Sequence, residues 1–115
     1  MPFSRGDVVL VLYPDSNLKT AKRRPALVVQ ANALQTGLAQ VIVAMISSNM
    51  ARAAHLSRVT VLQATIEGTQ MGLHSDSIIM TDNLATVLET EIDRTIGSRA
   101  DMRAVDDALR HTLAL

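Results

Sequence analysis

Three groups of polar residues carry the side chains that could perform chemistry in this 115-residue chain. They are Lys22, Arg23 and Arg24 directly before Pro25; Ser47, Ser48 and Asn49 after an apolar run, with Arg52, His55 and Arg58 beyond them at spacings of three; and Thr81, Asp82 and Asn83 after another apolar stretch. Each group alone is typical of a solvated turn or a strand end. Together they favour a groove that binds an anionic ligand.

Guanidinium and hydroxyl groups without a metal suit the phosphodiester of RNA. The guanidinium fork matches phosphate oxygens and stays charged, and the RNA 2′-hydroxyl is a nucleophile that the substrate itself supplies. Cleavage then needs a base for the 2′-hydroxyl proton, an acid for the leaving 5′ oxygen and positive charge near the phosphorane.

Other chemistries lack their motifs. The chain has no GxxxxGK[ST], GxGxxG, HExxH or GxSxG pattern and no cysteine, and these would mark nucleotide, metal or hydrolase sites. His74 stands near Asp76, but a surface turn is the favoured interpretation of that pair. We therefore expect no cofactor and no metal.

Charge is unevenly distributed although the net charge is zero. The first 60 residues hold seven basic and two acidic side chains, whereas the remainder holds four and nine. This asymmetry indicates a basic working surface with a compensating acidic region elsewhere.

The elements that must position these groups are short strands followed by one helix. Strands are predicted over residues 6–13, 26–30 (opened by Pro25), 39–47, 58–62, 77–80, 84–88 and 92–96, with turns at 14–17 and 67–69 and a loop or helical turn over 48–57. A capping box at 98–101 predicts a C-terminal helix with an apolar stripe of Met102, Val105, Leu109 and Leu113. The expected fold is mostly β with a C-terminal α-helix, a small barrel or strongly coiled sheet in a single domain over 1–115.

Composition narrows the class further. Hydrophobic residues make up 48% of the chain, which excludes a disordered protein. The longest apolar run, residues 41–46, falls far short of the roughly 20 residues of a membrane helix. No leader is recognisable, so we expect a cytoplasmic protein that does not enter a membrane. Because a domain of this size is marginally stable alone, a homodimer is favoured.

Five segments in order resemble the MazF/PemK toxins of bacterial toxin–antitoxin modules. They are RGDVVLV from Arg5, RPALVV from Arg24, ISSN from Ile46, DSIIMTDN from Asp76 and the final stretch 108–115. The resemblance covers nearly the whole chain. It implies an SH3-like barrel with a C-terminal helix, a homodimer, and metal-independent, sequence-selective cleavage of single-stranded RNA to 2′,3′-cyclic phosphate and 5′-hydroxyl ends. It also implies a cognate antitoxin whose peptide lies along the RNA groove.

The resemblance assigns three catalytic positions. Arg24 matches the arginine before proline and would stabilise the phosphorane; Ser47 would hydrogen-bond the scissile phosphate; Asp82 matches an acidic residue that is catalytic in some members. The residues expected to contact RNA are Lys19, Lys22, Arg23, Asn49, Arg52, His55, Arg58 and Asn83.

Two departures from the family pattern leave the general base open. Residues 18–22 contain neither the acid nor the histidine that many members carry there, and Met80 stands where one type has an arginine. Asp82 is the first candidate base and His55 the second. Two other functions are compatible with the fold: a gyrase poison that acts through the C-terminal helix, and an antitoxin-binding relative that has lost catalysis.

Overall fold

The structure, a computed structural model, describes residues 2–14, 17 and 19–115. These residues form six antiparallel strands and a C-terminal helix, among other short elements. The described strands are β1 (Asp7–Pro14), β2 (Ala21–Val28), β3 (Gln40–Ser47), β4 (Arg58–Val61), β5 (Ser77–Leu88) and β6 (Ile92–Ser98). The helices are α1 (Ile66–Gln70) and α2 (Arg103–Leu113), with single 3₁₀ turns at Met50–Arg52 and Glu89–Glu91. The strands form one sheet in the order β4-β5-β3-β2-β1-β6. The predicted mostly β fold with a C-terminal helix is confirmed.

Both faces of the sheet are covered by apolar side chains. Successive side chains of a strand point to opposite faces, so one strand contributes to two cores. On β3, Val43 and Met45 join a core formed with β1, β2, the end of β5 and β6. The intervening Ala44 and Ile46 join a second core that includes Val105 of α2. Burial on both faces explains why the strands read as continuous apolar runs.

Strand β2 begins at Ala21, five residues before the predicted start at residue 26. It pairs with β1 from Ala21 onwards, whereas its pairing with β3 runs over residues 26–28 only. Pro25 has no N–H to donate to a ladder, and it stands directly before the first β2–β3 pair, Ala26 with Met45. The basic residues 22–24 therefore lie on a strand that is paired with β1 and separated from β3.

The two strands predicted over 77–80 and 84–88 are one strand, so the prediction that Thr81 and Asp82 end a strand was wrong. Met45 pairs with Met80 while Ala44 pairs with Leu84, which leaves residues 81–83 as a bulge. Two hydrogen bonds anchor the bulge to the residue that precedes β4. The N–H and the hydroxyl of Thr81 both donate to the Ser57 carbonyl oxygen, at 3.1 and 2.5 Å.

Two local predictions near the helices were also wrong. Residues 67–69 lie inside α1, which Thr65 caps by accepting a hydrogen bond from the Gly68 N–H. The capping box at 98–101 does not form, since Ser98 still pairs with Asp7 in the sheet and α2 begins at Arg103. The turn predicted over 14–17 includes residues 15 and 16, which lie outside the described residues. Within the described chain, no helix has the length and apolarity to cross a membrane.

Candidate active site

A cavity of about 700 Å³ opens between β2, β3, β6 and the segment 72–75 that leads from α1 into β5. Its polar and charged lining includes Arg23, Arg24, Ser47, Ser48, His74 and Arg94. None of the described residues that line it is an aspartate or a glutamate. The cavity therefore presents cationic and hydroxyl groups, which is the chemistry that an anionic ligand requires.

Arg24 and Ser47 lie on adjacent strands of this wall. The last pair of the β2–β3 ladder is Ala26 with Met45, and Arg24 and Ser47 each lie two residues beyond it on their own strands. Both residues line the cavity. The Ser47 hydroxyl oxygen accepts a hydrogen bond from the Asn49 N–H at 3.1 Å, and its own proton can still be donated to a ligand. The structure thus brings together two of the three residues that the sequence places in catalysis.

Asp93 organises the β6 side of the cavity. Its carboxylate oxygen Oδ2 lies 2.8 Å from Arg94 Nη1 and 3.6 Å from Arg23 Nε. Both arginine side chains are more than half exposed, at 67% and 63%. Since exposed ion pairs contribute little to stability, the main consequence is orientation: one carboxylate holds guanidinium groups from two strands at the rim.

Asp82 belongs to a second group of residues, the bulge cluster, which consists of the β5 bulge with Asp82 and Asn83 and of the adjoining Arg52, His55 and Arg58. Its Oδ2 accepts a hydrogen bond from Arg58 Nη2 at 2.9 Å, and Arg58 Nη1 also donates to the Arg52 carbonyl oxygen at 2.9 Å. Partial burial would raise the pKa of the Asp82 carboxyl, but hydrogen bonds from Arg58 and the backbone, with the charges of Arg58 and His55, hold that pKa below its usual value. Asp82 is therefore an ionised partner of Arg58, and it does not line the cavity.

His55 is engaged within the same bulge cluster. Its Nδ1 accepts a hydrogen bond from the Ser57 N–H at 3.1 Å and lies 2.7 Å from the Ser57 hydroxyl. The ring also meets His111 of α2 edge-on, with centroids 6.2 Å apart. These contacts fix the ring against α2 and away from the residues that line the cavity.

The remaining predicted contact residues are exposed or half-exposed around these two clusters. Asn49 caps the 3₁₀ turn by accepting from the Ala51 N–H at 3.2 Å. Lys19, Lys22 and Arg52 are exposed and Asn83 is half-buried. None of these four lines the cavity. Among the predicted RNA-contacting residues, Arg23 is the one that the cavity lining includes.

Two cavity residues escaped sequence reasoning. The sequence favours a surface turn for His74, and it assigns Arg94 only a charge in the acidic half of the chain. Arg94 pairs with Leu10, which lines the same cavity, but β6 shifts register against β1 at two places, so strand alternation alone does not predict its side. Nothing local places His74, because its position depends on how α1 packs against β6. Within the described chain, no group of three or more histidine, cysteine, aspartate or glutamate residues is arranged to hold a metal ion.

The fold and site define a small curled β protein with a C-terminal helix and a cationic cavity. The family model for the PemK-like, MazF-like toxins of type II toxin–antitoxin systems matches residues 4–113. The chain belongs to this family, as its ordered segments predicted.

Curated relatives and solved structures agree with that assignment. The chain is 34% identical, over the full length of both proteins, to endoribonuclease MazF2 of Mycobacterium bovis and to endoribonuclease MazF6 of Mycobacterium tuberculosis. Its fold resembles that of the M. tuberculosis toxin MazF-mt6, with a TM-score of 0.72, 22% identity and coverage of 95% of this chain and 97% of the other. It also resembles a mycobacterial endoribonuclease solved with its cognate antitoxin, with a TM-score of 0.73, 22% identity and coverage of 98% and 96%.

Proposed function

We propose that this chain is an endoribonuclease that cleaves single-stranded RNA through its 2′-hydroxyl and without a metal, leaving 2′,3′-cyclic phosphate and 5′-hydroxyl ends. The observation that carries the proposal is the cavity that Arg24 of β2 and Ser47 of β3 both line. Full-length relatives named endoribonucleases support the same activity.

Arg24 and Ser47 act on the scissile phosphate. The Arg24 guanidinium neutralises the charge that develops on the phosphorane and supplies the proton that the leaving 5′ oxygen takes up. The Ser47 hydroxyl donates to a non-bridging phosphate oxygen. A fixed donor of this kind contributes about 10²–10³-fold to a rate when it is aimed at developing charge.

The bulge cluster contacts the RNA beside the cleaved bond. Arg52, Arg58 and Asn83 offer guanidinium and amide donors there, with Asp82 holding Arg58 in place through the 2.9 Å ion pair. A carboxylate whose pKa is lowered is a weak base near neutral pH. Asp82 therefore suits the positioning of Arg58 better than the removal of a proton.

A protein antitoxin and a second copy of the chain are the partners of this function. A structural neighbour was solved with its cognate antitoxin, and a peptide that covers the cationic cavity would exclude RNA from it. Large apolar side chains such as Leu56, Leu113 and Leu115 are exposed in the single chain, at 72%, 50% and 83%, as a self-associating surface requires. Sedimentation of the purified protein tests the dimer: a mass near the 12.4 kDa of one chain at micromolar concentration would contradict it.

The activity is tested by incubating the purified protein with a mixed RNA in EDTA and mapping the new ends. We expect cyclic-phosphate and 5′-hydroxyl ends that disappear with Arg24→Ala. Arg110→Ala is the matched control, because Arg110 lies on α2 and pairs with Asp107 outside the cavity. Intact RNA with stalled gyrase–DNA complexes, or intact RNA with tight antitoxin binding, would replace the proposal by one of the other two functions.

A further inference from the structure

The cleavage reaction needs a proton acceptor, and neither candidate from the sequence stands at the cavity. The Asp82 carboxylate is occupied by Arg58, and the His55 ring is bonded to Ser57 and packed on His111. Neither residue lines the wall that contains Arg24 and Ser47. The group that accepts the 2′-hydroxyl proton must therefore be sought among the lining residues themselves.

His74 is the lining residue with the appropriate chemistry. The other ionisable side chains on the described wall are arginines, whose resting form is already protonated and therefore cannot accept the 2′-hydroxyl proton. Histidine is the residue type whose ordinary titration falls near neutral pH, so it exchanges protons at the pH of the cell. His74 is exposed, so its ring is accessible to a ligand that enters the cavity.

The chain holds the segment around His74 in a defined place. Leu73 before it is buried in the core against α2 and donates its N–H to the Gly68 carbonyl oxygen at 3.3 Å. Asp76 after it accepts a hydrogen bond from the Gln63 N–H at 2.9 Å. Gly72 adopts a φ of +73° and approaches β6 so closely that a Cβ there would lie 2.2 Å from the Ile96 carbonyl oxygen. A catalytic group needs such support from its neighbours to keep its geometry.

Three charged side chains line the same cavity as His74. Strand β2 contributes Arg23 and Arg24, and β6 contributes Arg94, which is paired with Asp93. Asp76, two residues after His74, is not part of the lining. An RNA phosphate bound among these arginines would bring its neighbouring 2′-hydroxyl into the cavity that His74 lines.

We propose that His74 is the general base of this cavity, an inference that rests on the nuclease function proposed above. Its imidazole takes the proton of the RNA 2′-hydroxyl while the bond from the 2′ oxygen to phosphorus forms. The bond from phosphorus to the 5′ oxygen breaks, and the 5′ oxygen leaves as an alcohol with a proton from Arg24. Solvent water then reprotonates Arg24 and takes the proton from His74, so the enzyme returns to its starting state.

Single-turnover cleavage of one mapped site in a short RNA tests the assignment. We expect His74→Ala to slow cleavage by about 10²–10⁴-fold, the usual contribution of acid–base catalysis, and added imidazole to restore part of the rate. The acidic limb of the pH–rate profile should disappear in the variant. Binding of a fully 2′-O-methylated copy of the RNA, which has no nucleophile, should stay unchanged.

Arg110→Ala is the control, because Arg110 pairs with Asp107 on α2 and does not line the cavity. It should cleave like the unmodified protein. A His74→Ala protein that cleaves at the unmodified rate while Arg24→Ala is inactive would overturn the role of His74 and leave the nuclease function standing. A rate loss matched by an equal loss of binding to the methylated RNA would also overturn it, since His74 would then only bind. If the unmodified protein forms no cyclic-phosphate ends, the proposed nuclease function itself is contradicted, whatever the role of His74.

Discussion

Replacing Gly97 with alanine tests the contact that builds one wall of the cavity. A Cβ at Gly97 would lie 2.4 Å from the Gln70 carbonyl oxygen and 2.4 Å from the Met71 carbonyl carbon, whereas ordinary contact begins at 3.4 Å. Because the opposing atoms are backbone, no side chain can rotate away. Strand β6 and the end of α1 must instead separate by roughly 1 Å.

The expected loss of stability follows from that displacement. Overpacking a well-packed core costs about 1–3 kcal/mol, and a forced backbone shift belongs at the upper end, about 3 kcal/mol. For a domain of this size this lowers the melting temperature by roughly 10 °C. At temperatures where the variant stays folded, cleavage should also fall, because a 1 Å misplacement of a catalytic group can reduce a rate by about 10²-fold.

Gly37→Ala provides the matched control. Gly37 has a φ of +78° but nothing within 4 Å of its added Cβ, so alanine there carries backbone strain without a clash, about 1–2 kcal/mol. Thermal unfolding by circular dichroism compares the two variants. A Gly97→Ala protein that melts at or above the temperature of Gly37→Ala would refute the close-approach argument.

Three other results are expected. The Arg99 side chain is 8% exposed, and it lies 2.8 Å from the Glu67 carboxylate and donates to the Asp101 carbonyl oxygen at 2.9 Å. Arg99→Met should therefore lower the free energy of unfolding in urea by about 2–3 kcal/mol. Glu67→Gln changes the half-exposed partner and should lower it by less than about 1 kcal/mol, so equal losses would contradict this expectation. The folded-state pKa of Asp82 lies below the ordinary 3.8, so its carboxylate stabilises the fold above pH 3.8, and this stabilisation is lost as the pH falls through the folded-state pKa. Asp82→Asn should therefore be less stable than the unmodified protein near neutral pH and equally stable in acid. A stability difference that does not change with pH would count against the ion pair. Arg94→Gln should reduce the slope of log affinity for RNA against log salt concentration by about 0.7, the share of one phosphate contact on a single strand, and an unchanged slope would remove Arg94 from the binding surface.

The strands that sequence reasoning predicts well are those whose apolar residues leave no alternative. Strands β1 and β3 are runs of β-branched and aliphatic residues that pack on both faces, and the stripe that includes Val105 predicts α2. The elements predicted wrongly depend on distant partners. Pro25 marks the end of pairing with β3 and not the start of β2, and the β5 bulge depends on the Ser57 carbonyl oxygen, which lies 24 residues away from Thr81 along the chain.

The candidate site likewise contains residues that the sequence can place and one that it cannot. Arg24 and Ser47 each lie just beyond the paired part of β2 and β3, and the resemblance to a known family could anticipate that they line one cavity. His74 reaches the same wall through the approach of Gly72 and Gly97 to backbone carbonyls of other elements. Such packing between α1, β6 and the segment 72–75 has no local sequence pattern, because it depends on the absence of side chains at two separated glycines.

A double-mutant cycle on single-turnover RNA cleavage tests whether Arg24 and Ser47 act on one phosphate in one cavity. Residues that serve the same group show non-additive losses. We predict that Ser47→Ala slows the unmodified protein much more than it slows Arg24→Ala. If the two rate losses simply multiply in the double variant, or if neither change affects cleavage, the two residues do not share a site.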